Sequence, residues 1–508
     1  MAALGGSAPR SGDAEYRTWL ALHTPTRREI AKQRERARSS PWRPRIEIVV
    51  RRRSGDERAF EQTRRSLTMQ SWERLALHEV SLEEEVASTL ASCRGELAMI
   101  LDAGDLLAPH ALFALVESAD PEIDLVYADE DRLAPTGREA PFFKSGWSPE
   151  ELASHPYVAG AAAFRRELLV EAGPSCGTAL DHERLLRLAP GLCHVRHVPD
   201  VLLHRRADDA PAFRSPRGLP SWEPARLPRV AVVIPTKDKA TLLAACLASL
   251  EAHPNRAELE LVVVDDGSRE EDARALLRAL AERPRCQVLR WDRSFNWSAV
   301  NDAAARLTSS EYLLFLNNDV EATHSGWLDA MLALACRPEI GLVGAQLLYP
   351  DGALQHYGVV LGMTGFAGHL LQGCSPAAPA RCGPADVVRD CSSVTGACML
   401  VRRDVFDRLG GFDERFILCG SDVALGLRAM EAGLRNVVTP HARLVHHESR
   451  TRGATVPASD FRVSWEVYQP WLRAGDPYYN PQLSLRDTRA RIRLGPEDML
   501  AVARRHVR

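Results

Sequence analysis

Three short apolar runs, each halting at a small polar cluster, constrain this chain more than any other feature. Residues 229–235 (RVAVVIP) end at proline and lead into Thr236 and Asp238. Residues 259–264 (LELVVV) stop at Asp265-Asp266-Gly267-Ser268, and 312–316 (YLLFL) stop at Asn317-Asn318-Asp319. A shorter run lies near 287–290. Between these runs apolar residues recur at helical spacing, over 238–252 (Leu242, Leu243, Cys246, Leu250), 270–282 and 298–307. Short buried strands alternating with helices predict an α/β fold, with a mostly parallel sheet and helices on both faces. Such sheets bind ligands beyond the carboxyl ends of their strands, and each polar cluster falls at such an end.

Composition sets the bounds. The 508 residues allow roughly three domains of about 150 residues each. A hydrophobic share of 45% excludes a wholly disordered chain, and 64 Lys+Arg against 67 Asp+Glu gives no reason to expect nucleic acid as a partner. Residues 1–44 read as a basic arm (RREIAKQRERARSSPWRPR) closed by Pro41 and Pro44. Its charge leaves a peripheral membrane contact open, although a solvated helix is the commoner outcome. Residues 45–205 and 229–454 read as two α/β units, 206–228 as a Pro- and charge-rich linker, and 455–508 as a tail containing the turn-rich DPYYNP. Eleven scattered cysteines without a CxxC pair argue against a zinc ribbon or a disulfide scaffold. The N-terminal stretch has no apolar signal core. The longest run free of Asp, Glu, Lys and Arg, 352–380, carries Gln355, His356, His369 and Gln372 and is a poor membrane span. The chain therefore reads as cytoplasmic, at most peripheral at the inner face of the plasma membrane. Oligomeric state is not legible.

PTKDK (235–239), VVVDDGS (262–268), FNWSAVN (295–301), FLNNDV (315–320), VTGACMLVRRDVFDRLGGFDE (394–414) and PHARLVHHESRTRG (440–453) occur in this order. As an ensemble they resemble bacterial glycosyltransferase family 2, of the rhamnosyltransferase-like kind. The resemblance implies a GT-A fold and an inverting transfer from a nucleotide-diphosphate sugar, UDP- or dTDP-linked, to a glycan or lipid-linked acceptor. It also implies a divalent metal, Mn²⁺ or Mg²⁺. A metal can neutralise the departing diphosphate. Oxygen ligands suit either ion, and an imidazole among them tilts toward Mn²⁺.

By this resemblance Asp319 and His446 are metal ligands, and Thr236, Asp238, Asp265, Asp266 and Asn318 contact the nucleotide sugar. Asp319 also suits a turn or helix cap, Asp265-Asp266 a plain turn, and His446 a core histidine. Inversion needs a base for the acceptor hydroxyl, and Asp422 is the candidate, a position that would equally cap the helix following it. The family usually carries a second acid two residues on, where this chain has Ala424. Arg450 and Arg452 could hold diphosphate oxygens through paired donors.

The first unit echoes the second. ELAMILDAGDLL (96–107) parallels EYLLFLNNDVEA (311–322), and VPDVLLHRR (198–206) parallels TPHARLVHH (439–447). The Asp181–His204 separation of 23 residues matches the Asp422–His446 separation of 24. The donor-side signals are gone, however. The first strand runs into Arg51-Arg52-Arg53, no DDGS follows the strand near 75–80, and Leu82 to Leu97 is too short for the equivalent of 270–310. The first unit thus reads as a degenerate GT-A-like domain with scaffolding or acceptor-guiding duties, and Asp105, Asp181 and His204 as a vestigial site. Two rival functions remain. One is a non-catalytic nucleotide-sugar or polysaccharide-binding partner of another transferase. The other is a sugar nucleotidyltransferase, which the glycine-free PTKDKATLL disfavours.

Overall fold

The computed structural model describes residues 14–81, 86–135, 137–172, 182–206, 222–378, 380–447 and 456–507. Its first sheet contains β1 (Ile46–Arg52), β2 (Leu75–Ser81), β3 (Leu97–Asp102), β4 (Leu106–Leu107), β5 (Leu125–Ala134), β6 (Gly137–Phe142), β7 (Ala162–Arg165) and β8 (Val195–Arg206). The second contains β9 (Arg229–Thr236), β10 (Glu258–Asp265), β11 (Cys286–Arg290), β12 (Tyr312–Leu316), β13 (Val320–Ala322), β14 (Ile340–Leu348), β15 (Leu354–His356), then β18 (Arg389–Cys391), β19 (Cys398–Arg402) and β20 (Arg435–His446). β16 (Val359–Leu361) and β17 (Ala367–His369) form a separate pair.

The second sheet has the order β11-β10-β9-β12-β19-β14-β20-β13, with β15 beside β14 and β18 beside β20. Its first four strands are parallel, β19 runs against its neighbours, and β20 is parallel to β14. The apolar runs are continuous because both faces are covered. Ala231, Val233, Val262, Val264, Leu313 and Phe315 face a core with Val300, Ala304 and Leu425. The alternate residues Val230, Val232, Ile234, Val263, Leu314 and Leu316 face a core with Leu243, Leu250, Leu277 and Met331. Helices Ala240–Ala252, Glu271–Ala281 and Trp327–Ala335 thus cover one face, and Trp297–Ala305 and Ser421–Glu431 the other.

The first sheet, β2-β1-β3-β7-β5-β8-β4 with β6 beside β5, repeats this order strand for strand. Counterparts of β11 and of β18 are missing among the described residues. Between β2 and β3 one helix, Val86–Ser92, stands where the second sheet places two helices and a strand. The repeat extends to single pairings. Leu106 lies opposite His204 across β4 and β8, as Val320 lies opposite His446 across β13 and β20.

The described residues of the arm and of the tail are packed rather than trailing. Helix Ala14–His23 buries Tyr16 and Trp19 in a core shared with Phe143 and Val201 of the first sheet's region and Tyr357 and Leu371 of the second's. The basic helix Arg27–Ser39 opens with a Thr26–Glu29 capping box, buries Ala37, and sets Arg36 and Arg38 against Glu117 and Glu73. The segment read as a tail bridges both halves. Asn480 donates to Asp129 Oδ2 and to the Lys144 carbonyl, 2.8 and 3.0 Å away, while Leu483 and Ile492 join the shared core. A buried ionic network adds a second tie, in which Glu150 meets Arg337 and Arg435, and Arg435 meets Asp390. Among the described residues no helix is long and apolar enough to cross a membrane.

Candidate functional site

The carboxyl ends of β9 and β12 open into a cleft of about 410 Å³, a size that suits a small ligand. Thr236, Asn318, Asp319, Asp422 and His446 all line it. Asp319 follows β12 through a tight turn, and the pairing of Val320 with His446 carries the imidazole to the carboxylate. His446 Nε2 stands 3.2 Å from Asp319 Oδ1, and both side chains are about nine-tenths buried. Strand alternation separates the two neighbouring histidines: His446 points into the cleft, whereas His447 turns away to Glu321 at 2.8 Å. The Nδ1 of His446 is buried without a partner among the described residues. A carboxylate and an imidazole converging in the cleft form a donor set that fits Mn²⁺ or Mg²⁺.

The donor-side residues divide. Thr236 Oγ1 accepts from Asn318 Nδ2 at 2.9 Å, which locks the ends of β9 and β12 together. Asp266 lies behind the rim, where Lys237 Nζ reaches its Oδ2 at 3.3 Å. Asp238 and Asp265 are engaged in the turns themselves. Asp238 accepts from the backbone N–H groups of Arg269 and Glu270, which holds its carboxyl below the ordinary range. Asp265 accepts from the Ser268 N–H at 2.8 Å and pairs with Arg290. Neither lines the cleft.

Asp422 occupies the first turn of helix Ser421–Glu431, and its Oδ2 accepts the Gly396 N–H at 2.9 Å. Two supports fix this corner. On one side the Thr395 N–H donates to His356 Nε2 at 3.3 Å, and burial beside His369 and His446 drives the His356 pKa well down, so the ring stays a neutral acceptor. On the other, Asp460, from the segment read as a tail, accepts the N–H groups of Ile417, Leu418 and Cys419 at 2.9, 2.8 and 3.0 Å. Tyr468 donates to the Gly420 carbonyl, and Gly420 has φ +106, where a Cβ would strike Phe416 and the Tyr468 hydroxyl.

Lys237, Phe295, Trp297, Gln355 and His369 also line the cleft. Lys237, Phe295 and Trp297 lie within PTKDK and FNWSAVN, and Gln355 and His369 within the uncharged run 352–380, whose expected part is to shape the acceptor side. Trp297 packs against Gly396, whose missing Cβ would sit 2.5 Å from the edge of the ring. Asp460 carried no signal: its partners lie 41 to 43 residues away. Arg450, Arg452 and Asp181 fall outside the described residues.

The corresponding corner of the first sheet is filled. His204 Nδ1 turns to Asp131 Oδ1 at 2.8 Å, and Asp131 also takes Arg138 and Tyr16. Arg51, at the end of β1, pairs with Asp102, and Arg206 lies where a Cβ on Gly104 would go. Burial pushes the Asp105 carboxyl up to about 7, against the pull of Arg205.

Residues 231–410, the span from β9 past β19, match Glycosyl transferase family 2. The chain is 37% identical to the O-antigen biosynthesis protein RfbC of Myxococcus xanthus, over 96% of its own length and 44% of that protein's. It is 30% identical to the N-acetylglucosaminyl-diphospho-decaprenol L-rhamnosyltransferase of Mycobacterium tuberculosis (strain ATCC 25618 / H37Rv), over 42% of its own length and 74% of that protein's. Among solved structures, GalNAc-T7 with UDP, GalNAc and Mn²⁺ overlaps it with a TM-score of 0.41 at 15% identity, covering 49% of this chain and 50% of that one. The chain spans 44% and 49% of the first two curated relatives it matches, about half their length.

Proposed function

The chain belongs to glycosyl transferase family 2, and from that premise we propose that it transfers a hexose, with inversion, from a nucleoside-diphosphate sugar to a hydroxyl of a growing cell-surface glycan or lipid-linked acceptor. The observation that carries this reading is the convergence of Asp319, His446 and Asp422 on the one cleft at the strand ends. A named role in O-antigen biosynthesis for one relative, and an acceptor on a lipid diphosphate for another, support the acceptor class. Such an acceptor would bring the protein to the inner face of the plasma membrane.

Asp319 and His446 would hold the divalent cation, whose positive charge would offset the negative charge developing on the departing diphosphate. Thr236 and Asn318 fix the floor on which the donor lies, and Lys237, held from behind by Asp266, forms its rim, UDP- or dTDP-linked donors both being accommodated in the reading. Phe295 and Trp297 offer apolar faces to a sugar ring. Asp422 takes the proton of the acceptor hydroxyl as that oxygen bonds to the anomeric carbon. The bond from that carbon to the diphosphate oxygen breaks, and its electrons leave with the diphosphate.

The filled corner around Asp105 supports the view that only the second copy turns over, leaving the first as a scaffold. The test is a panel of nucleotide sugars assayed for nucleoside diphosphate release with Mn²⁺ and with chelator. Metal-dependent release that vanishes in Asp319→Ala and Asp422→Asn is expected. Turnover indifferent to both substitutions overturns the reading, and binding of a nucleotide sugar without turnover on any acceptor would favour a non-catalytic partner.

A further inference from the structure

A second group of metal-ligating side chains lies in the first sheet's region, toward the amino ends of its strands, at the opposite end from Asp105. Glu47 on β1, His78 on β2 and Cys93 just before β3 bring a carboxylate oxygen, an imidazole nitrogen and a sulfur within 4.8 Å of one another. Glu47 is only 1% exposed. The rest of the sequence gives a buried glutamate at this position no apolar reason to be there, since its neighbours Ile46 and Ile48 fill the core.

We propose that Glu47, His78 and Cys93 form a binding site for Zn²⁺. The two contacts share one atom: His78 Nε2 lies 2.7 Å from Glu47 Oε2 and 3.4 Å from Cys93 Sγ. A ring nitrogen carries one proton or one lone pair, so it cannot serve both partners as full hydrogen bonds. A single cation among the three satisfies all of them. Zinc takes mixed nitrogen, oxygen and sulfur ligands, with bonds of about 2.3 Å to sulfur and about 2.0 Å to nitrogen and oxygen. At tetrahedral angles these put nitrogen and sulfur roughly 3.5 Å apart, close to the spacing found, while the carboxylate withdraws by roughly 0.5 Å.

The carboxylate is already oriented for this. Its other oxygen, Oε1, accepts the Gly95 N–H at 2.7 Å and faces Arg45 Nε at 3.2 Å, which leaves Oε2 toward the histidine. Charge also balances: one thiolate and one carboxylate neutralise Zn²⁺, with the imidazole neutral. Without an ion, burial and the Glu47 charge hold the Cys93 thiol protonated, donating to the Thr89 carbonyl at 3.2 Å. Binding therefore releases the thiol proton to solvent, and the ring binds through Nε2 as the neutral tautomer with its proton on Nδ1. Three protein ligands leave a fourth position for water, and the ion ties β1, β2 and the loop before β3.

The test is Co²⁺ titration of the chelator-treated full chain, followed by displacement with Zn²⁺. One equivalent is expected to give a near-ultraviolet thiolate-to-cobalt band with four-coordinate d–d absorption, both abolished by Zn²⁺. Cys93→Ser should remove the thiolate band, and His78→Ala should weaken Co²⁺ binding at least about tenfold. Asp319→Ala should leave the band intact, which separates this site from the cleft. Circular dichroism of each variant checks folding, and Zn²⁺ should raise the melting temperature of the wild-type chain independently of the variants. Absence of a thiolate band in the folded wild type, or its persistence in Cys93→Ser, overturns the proposal.

Discussion

His446 reaches Asp319 because the residue after Asp319, Val320, pairs with His446 across β13 and β20, closing the two side chains to 3.2 Å. Backbone pairing thus sets the geometry, and neither side chain needs the other to reach its place. Replacing Asp319 or His446 by Ala should leave the fold intact while cutting metal-dependent transfer. If the pair holds the cation that offsets several kcal/mol of developing charge, the loss is roughly 100-fold or more. Nucleoside diphosphate release against Mn²⁺ concentration measures it. An unchanged Mn²⁺ requirement would remove both residues from that role.

Asp422 and Asp460 predict a graded pair. Asp422→Asn removes the base and should lower kcat by about 10²–10⁴-fold with folding unchanged. Asp460 does not reach the cleft; it holds three N–H groups of the loop before Asp422. Asp460→Asn keeps an acceptor but loses charge-assisted bonds worth about 1.5–3 kcal/mol each at most. A lower melting temperature and a smaller fall in kcat, with KM little changed, are expected. Steady-state kinetics beside thermal melts separate the two effects.

The strand ends were legible because they are local. A short apolar run stopping at Asp265 or Asn317 declares both its strand and the edge where it ends. The repeat was legible too, since Asp105 and His204 preserve the spacing that puts Leu106 opposite His204. What escaped depends on distant chain. Nothing near Asp460 marks it as the support of residues 417–419, and the segment carrying it looks like an appendage until Asn480 is seen against Asp129. Asp238 and Asp265 show the converse: acids in a motif, whose carboxylates turn inward to hold the backbone.

The filled corner of the first copy makes a prediction in pH. Burial raises Asp105 from 3.8 to about 7. A carboxyl raised on folding contributes full stability below its unfolded value and loses it as pH climbs through the folded one. The loss therefore runs from about pH 4 to about pH 7 and amounts to at most about 4 kcal/mol. Asp105→Asn keeps an acceptor for the Asp102 N–H and removes the ionisation. Its melting temperature should exceed the wild type's by a margin that widens from pH 5 to pH 8. A margin that narrows over that range would mean a carboxylate stabilised in the folded chain, as a working cation site would require.

Gly396 tests how tightly the cleft is built. Its N–H holds Asp422 Oδ2 at 2.9 Å, and the Trp297 ring covers the place of its absent Cβ, 2.5 Å away. Contact that close cannot persist, so Gly396→Ala must displace either the indole or the strand-end backbone. Trp297 is itself packed edge-on against Phe412, with ring centroids 4.8 Å apart, which leaves the ring little freedom to retreat. Overpacking of this kind costs about 1–3 kcal/mol. Because the shifted backbone also carries the hydrogen bond to Asp422, kcat should fall together with stability, and Trp297→Phe, by shortening the ring, should restore part of both. Activity lost in Gly396→Ala and not recovered in the double variant would place the damage at the Asp422 hydrogen bond alone.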